Sequence, residues 1–443
     1  MPKTVVFVHG YSVRTLSTYA QFPALLVAQG LARADIQLSA FDSLDNCVTC
    51  DDLAEGLEDR IASLESQGLD VTKTAFVVHS TGAIIVRRWL LNRILRNRTM
   101  PATARQNLPS HFVSLAGANH GSTLAQLGVT IVNRIREDVQ GADGVGQQVL
   151  TDLDYGSAFL RRLNSEWIDV AAAGELAGVF CFSMVGDDHS ELSDQLFWQT
   201  KENGCDSTVR ICGANLNYSW LTADPDENPP LFNARSTTAE VPHLVLPGFS
   251  HTGTKGIIDS VRTAGDAPFS ALLEAFAVTD AASYQALLVK WRDATNSWNV
   301  GHPDDCSSLL IFRLTDESGR PITDNLILLA DSSNVAANVT PSLQSHQPTQ
   351  NQVDGSVISF YVRNAAFMAT QPHKVHIEAR SGSPLVDYRN VDYVVSPTLQ
   401  ALVQPNEVTY VEVCLKRDVS NTYTLINFST NPDFSQQWLP LPT

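Results

Sequence analysis

Residues 75–84 read AFVVHSTGAI, a run of apolar strand formers that ends on His79-Ser80 and is followed by small residues. A serine hydroxyl is a poor nucleophile at neutral pH. It becomes a useful one beside a base, with a partner that orients the base and donors that receive an oxyanion. A sharp strand-to-helix turn lifts such a side chain clear of the backbone, and that turn demands small residues two positions away on each side. Gly82 meets the demand on one side, while Val78 stands where a GxSxG pattern has glycine. Ser80 is the candidate nucleophile. A second fragment, His9-Gly10-Tyr11, directly follows the apolar run 5–8. It would set the Tyr11 N–H beside the turn, where with the Thr81 N–H at the start of the next helix it would form an oxyanion hole. Taken alone, His9-Gly10 is also an ordinary strand-end turn.

These fragments need elements that hold them. Residues 1–300 alternate short apolar runs with amphipathic stretches, the pattern of strands and helices around a mostly parallel sheet. Strands are predicted at 5–8, 74–78, 111–115 and 178–185. Between the second and third, Gly82 should open a helix carrying Ile85, Trp89, Leu90 and Ile94 on its buried face. The arginines of that helix, Arg87, Arg88, Arg93 and Arg96, read as a solvated face that favours its carboxyl end. An earlier helix, capped by Asp51 or Asp52, should bury Leu53, Leu57, Ile61 and Leu64. An insertion at about 123–175 carries Leu124, Leu127, Ile131 and Ile135 at helical spacing, then GADGVG at 141–146, then a second helix with Phe159, Leu160, Leu163 and Trp167. It reads either as a cap over the site or as helices packed on the sheet. From Cys306 onward helical periodicity fades into short strand-like runs between turns. This predicts an antiparallel, sandwich-like all-β region at 301–443.

Composition excludes several functions. Of 443 residues, 44% are hydrophobic and 17% charged, as in a globular chain of two domains, one large. A net charge of −17 repels nucleic acid and anionic membrane surfaces. The amino-terminal apolar run is too short for a signal peptide, so the expected location is cytoplasmic, with export left to a signal-independent route. No segment reaches the roughly eighteen apolar residues of a membrane span. Seven cysteines leave at least one unpaired. Cys47 and Cys50 form a CxxC without a second pair at zinc spacing, and Cys205 and Cys212 flank an aspartate. No metal or organic cofactor is expected.

Four segments together resemble the α/β-hydrolase superfamily, in particular bacterial lipases and esterases: VVFVHGY, VVHSTGA, SLAGANHGST and LDYGSAFLRRLN, in that order over roughly residues 3–260. Similar lipases have a PHxGS-like third segment, in which Asn119 here replaces proline. The resemblance implies an α/β-hydrolase fold with a helical cap, and a Ser–Asp–His order along the chain. The segment Gly204-Cys205-Asp206-Ser207-Thr208-Val209 is similar to the family's (S/N)DGxV, with Ser207 in place of glycine, which makes Asp206 the candidate acid. Asp187 and Asp188, at the end of an apolar strand, are the alternative acids. His251 follows the apolar run 244–246 on a loop from which it can reach the serine, whereas His243 precedes that run. His79 and His120 more naturally orient loops. The implied activity is cleavage of carboxylic esters, with a lipid or long-chain acyl ester as the substrate partner. Phospholipase A and thioesterase chemistry would use the same residues. A binding protein on a hydrolase scaffold, with the carboxyl-terminal region recognising a partner or lipid surface, is the competing class.

Overall fold

A computed structural model describes residues 2–11, 16–39, 41–122, 125, 146–188, 203–224, 231–237, 239–330, 349–363, 374–383, 385–388, 391–394 and 403–419. The expected helix through Leu124, Leu127, Ile131 and Ile135, and residues 141–145 of the glycine-rich joint, lie outside the described residues.

A six-stranded sheet is parallel throughout. It contains β1 (Thr4–Val8), β2 (Ile36–Leu38), β3 (Thr74–His79), β4 (His111–Leu115) and β5 (Phe180–Gly186), and it ends on β8 (His243–Leu246), in the order β2-β1-β3-β4-β5-β8. The helices are α1 (Phe22–Ala28), α2 (Cys50–Ser66), α3 (Gly82–Thr99), α4 (Gln147–Leu153), α5 (Ala158–Ala172), α6 (Ile211–Ala214), α7 (Ala267–Phe276) and α8 (Ala281–Gly301). Because successive strand residues face opposite ways, Phe76 and Val78 of β3 join one apolar cluster with α2, α3 and α5. Ala75 and Val77 join another with α1, α7 and α8. Burial on both faces explains why β3 reads as an unbroken apolar run.

Two local readings are corrected. The cap of α2 is Thr49, which exchanges hydrogen bonds with Asp52 in a capping box; Asp51 and Asp52 lie in the first turn, where acidic groups suit the helix dipole. The arginines of α3 do not share a solvated face, since Arg87 and Arg93 are buried completely. Arg93 is neutralised by Glu58 (2.7 Å) and Glu65 (2.8 Å) from α2. Arg87 donates to Asn119 O (3.1 Å) and Asn164 Oδ1 (2.9 Å), with its guanidinium over the Trp167 ring. The partners come from distant segments, so helical periodicity gave no sign of them.

A second six-stranded sheet lies against the first body, in the order β11-β12-β9-β16-β6-β7. Its strands are β6 (Tyr218–Asp224), β7 (Leu231–Ser236), β9 (Ser307–Asp316), β11 (Thr349–Gln350), β12 (Val357–Arg363) and β16 (Val408–Leu415). A three-stranded sheet of β10 (Asn325–Ala330), β13 (Lys374–Ala379) and β15 (Val391–Val394) completes the sandwich. A short pair, β14 (Val386–Tyr388) with β17 (Arg417–Val419), flanks it. The expected antiparallel order is corrected in one place: β16 runs parallel to both β9 and β6. The large sheet is two-faced. Leu309, Ile311 and Tyr410 pack into the hydrolase-side cluster, whereas Leu310, Phe312 and Val411 pack with Ile327 and Ile377 of the smaller sheet.

Strands β6 and β7, which precede residue 300, thus belong to a sheet whose remaining strands follow it. Tyr410 extends the joint into the core. Asn164 Nδ2 donates to its hydroxyl (2.9 Å), which meets His120 Nδ1 (3.1 Å), and His120 Nε2–H donates to Asn215 O (3.0 Å). Among the described residues no helix is long and apolar enough to cross a membrane. A chain truncated after residue 300 would leave β6 without β16 and expose Tyr218 and Trp220. It is expected to show no cooperative thermal transition by circular dichroism. A soluble fragment that melts cooperatively near the full-length midpoint would refute the coupling.

Candidate active site

The turn between β3 and α3 places Ser80 at φ 55°, in the left-handed region. For a residue with a side chain this costs on the order of 1–3 kcal/mol and persists only where the surroundings enforce it. Here they do. Ser80 N donates to Leu115 O (3.3 Å), and Ser80 O accepts from Ala83 N and Ala118 N (3.1 Å each). Gly82 lets α3 start against β1, since a Cβ there would lie 2.5 Å from the carbonyl oxygens of Val8 and His9. Val78 is fully buried in the apolar cluster.

The segment after β1 passes beside the serine. A Cβ on Gly10 would lie 2.5 Å from Ser80 Cβ and 3.1 Å from Oγ, so glycine keeps the space beside the Ser80 hydroxyl open. His9 fixes this segment. Its ring stacks on Phe41, Nε2 accepts from Phe41 N (3.0 Å) and Nδ1 therefore carries the proton donated to Gly10 O (2.7 Å). Burial holds the His9 pKa below its ordinary value, which keeps that tautomer neutral. Tyr11 follows directly, and Thr81 is the residue before α3.

Asp206 and His251 meet twice. Asp206 Oδ2 lies 2.9 Å from His251 Nδ1, and His251 N donates to Asp206 O (2.8 Å). The other carboxylate oxygen accepts from Thr208 N (3.0 Å) and Val209 N (2.7 Å). Asp206 is fully buried, and among the described residues these bonds and the histidine are what its carboxyl oxygens meet. Ser207 takes φ 84°, the conformation for which glycine is the usual residue at this position of the motif.

His79 joins this pair to the elbow. Its ring centroid lies 4.6 Å from that of His251, and its Nε2 is 3.3 Å from His251 O. A carbonyl only accepts, so Nε2 carries the proton. Burial, and then the neighbouring His251, hold the His79 pKa well below normal. The sequence left His79 as a loop-orienting residue; its contact with the backbone of His251 came from no local signal.

Asp187 and Asp188 serve elsewhere. Asp187 accepts from Gly248 N (2.6 Å) and Trp298 Nε1 (2.7 Å), and Asp188 pairs with Lys255 (2.6 Å). Both brace the loop that carries His251, and among the described residues it is Asp206 that reaches His251 Nδ1. His243 sits at the opposite end of β8 and bonds Ser183 (2.9 Å). Cys205 and Cys212 are both buried and form no disulfide, and neither do Cys47 and Cys50.

The structure of phospholipase PlaB from Legionella pneumophila is similar to this chain over 97% of each, with a TM-score of 0.82 and 26% identity. The same phospholipase in complex with thio-NAD is similar at a TM-score of 0.80 and 27% identity, again over 97% of each chain. The mature form of lipase BlEst2 from Bacillus licheniformis overlaps 48% of this chain and 80% of its own, at 16% identity and a TM-score of 0.36. No model of a known protein family and no curated protein matches the sequence. The parallel sheet, the serine elbow and the likeness to the phospholipase are those of an α/β-hydrolase fold, and that neighbour is a lipolytic enzyme.

Gly10→Ala is expected to displace Ser80 by several tenths of an ångström and lower hydrolytic kcat/KM by roughly a hundredfold, since small misplacements at a reacting centre are costly. The thermal midpoint, read in parallel, separates this from unfolding. Unchanged turnover in a folded variant would show that the space beside Ser80 is not used.

Proposed function

We propose that this hydrolase cleaves the carboxylic ester bonds of lipid acyl chains, phospholipids foremost, through Ser80, His251 and Asp206. The observation that carries the reading is the buried Asp206–His251 pair, held by two hydrogen bonds and packed through His79 against the strained turn of Ser80. The likeness to a phospholipase over nearly all of both chains supports the substrate class.

The chemistry follows from the roles. His251 Nε2 takes the Ser80 hydroxyl proton as Oγ attacks the ester carbonyl, and Asp206 holds Nδ1–H and stabilises the imidazolium. The N–H groups of Tyr11 and Thr81 receive the oxyanion. The tetrahedral intermediate collapses to an acyl-enzyme as His251 returns the proton to the leaving alcohol. Water, deprotonated by His251, then attacks the acyl carbonyl, releasing the fatty acid and restoring Ser80.

The test compares p-nitrophenyl esters from acetate to palmitate with dispersed phosphatidylcholine. Ser80→Ala and His251→Ala, folded by thermal melt, should each lose on the order of 10³-fold or more in kcat, and Asp206→Asn on the order of 10³–10⁴-fold. Fatty acid should be released from phosphatidylcholine, with long-chain esters preferred over acetate. Turnover unchanged in Ser80→Ala would sink the mechanism. Hydrolysis confined to acetyl esters would sink the lipid assignment, and no turnover at all would favour the binding-scaffold reading.

A further inference from the structure

The carboxyl ends of the parallel strands carry the serine and histidine loops. At the opposite end a cavity of about 260 Å³ opens between the segment leading into β8, helix α8 and residues 404–407 before β16. Ser80, Asp206 and His251 do not line it.

Its wall is tied together by side-chain amides. Asn217 accepts from Val241 N (2.7 Å) and donates to Val241 O (2.8 Å) and Asn215 Oδ1 (3.0 Å). Asn215 donates to Asn406 O (2.8 Å), and Asn406 Nδ2 to Asn299 Oδ1 (2.6 Å). This chain of bonds cross-links the β8 approach, the 404–407 segment and α8. The amides have spent much of their hydrogen-bonding capacity on one another, so they hold the cavity open as a preformed shape.

Two other polar groups on the wall are served less well. The Glu407 carboxyl has neither a hydrogen bond nor a cation among the described residues. Burial, and then the nearby Glu240 charge, push it up to about 7. Glu240 meets Arg292 at 3.4 Å, an exposed and loose pair. His243, 6% exposed, leaves Nε2 buried without a partner while Nδ1 engages Ser183 Oγ. Burial holds that ring down to about 3, so it is neutral, and whichever way the Ser183 hydroxyl bond runs, Nε2 is a buried polar atom left for a ligand to meet. With Glu240 and Glu407 both ionised, Arg292 offsets one charge and leaves one negative charge over. Among the described residues no lysine lines the cavity.

We infer that this cavity binds a small organic cation, a protonated amine seated between Glu240 and Glu407 at the end of the sheet remote from Ser80. An ammonium supplies the second positive charge that Arg292 leaves wanting and N–H groups for the Glu407 carboxyl, and an uncharged polyol of the same length supplies donors without the charge. The charged and titratable groups facing Glu407 are Glu240 and His243 on the β8 approach and Arg292 on α8. His243 stays neutral across the working range, so Glu407 sets the pH dependence. Its ionised form binds the cation better, so affinity is present above pH 7 and is lost as pH falls. Between pH 8 and pH 6 the loss should be about tenfold for a group titrating near 7.

Isothermal titration of the full chain at fixed ionic strength tests this. The probes are 1,4-diaminobutane and ethanolamine, with 1,4-butanediol as the uncharged control. One saturable site per chain is expected for at least one amine, about tenfold weaker at pH 6 than at pH 8, and at least tenfold weaker in Glu407→Gln. Should Glu407→Gln fail to melt cooperatively, exposed Glu240→Gln takes its place, with weakened binding again expected. Three results would overturn the inference: no saturable amine binding, equal binding of the diol, or amine binding unchanged in the folded variant. The last would mean diffuse attraction to a chain of net charge −17.

Discussion

The constraint on which the site depends is the left-handed backbone of Ser80. A non-glycine residue at that φ is unstable by itself, so the sheet must impose it. Leu115 at the end of β4 takes the Ser80 N–H, and Ala83 and Ala118 occupy its carbonyl. The missing side chains at Gly10 and Gly82 let β1, the following loop and α3 close around the turn. A strained serine turn is thus paid for by ordinary packing and hydrogen bonds in the strands on either side.

Desolvation governs the histidines around this turn. His9, His79 and His120 are all buried, and each has its pKa lowered chiefly for that reason. A neutral imidazole keeps one donor and one acceptor, so each ring is assigned by its partners: His9 to Gly10 and Phe41, His120 to Asn215 and Tyr410, His79 to the carbonyl of His251. Their rings orient backbone. His251 differs in having a buried carboxylate, Asp206, on Nδ1, where the other three rings meet backbone or neutral side chains among the described residues.

The large mixed sheet makes the carboxyl-terminal half part of the same body. Alternation along β9 and β16 gives one face to the hydrolase core and the other to the sandwich. Tyr410, stacked on Trp220 of β6, reaches the hydrogen-bond network of Asn164 and His120. Arg87 shares that network, and burial lowers its pKa, its hydrogen-bond partners among the described residues being uncharged. Breaking one member would leave a desolvated polar group without its partner, so such a network ties the layers together more tightly than apolar contact alone.

Much of this protein was legible in the sequence because the relevant signals are local. Apolar runs of strand length marked β1, β3, β4 and β5, and helical spacing marked α2, α3 and α5. The elbow was visible in His79-Ser80-Thr81-Gly82 because turn chemistry restricts neighbouring residues. Asp206 and His251 were singled out by short segments resembling a family, and the fold then set them 2.9 Å apart. What the sequence could not express were contacts between distant positions. The burial of Arg87 and Arg93 depended on Asn119, Asn164 and Glu58, and Thr49 displaced the expected cap by accepting from Asp52. The parallel course of β16 between β9 and β6 joined segments almost two hundred residues apart, from 218–224 to 408–415. Periodicity states which residues want to leave water, and motif spacing states which can do chemistry. Which partner meets each buried charge is settled only when the layers close.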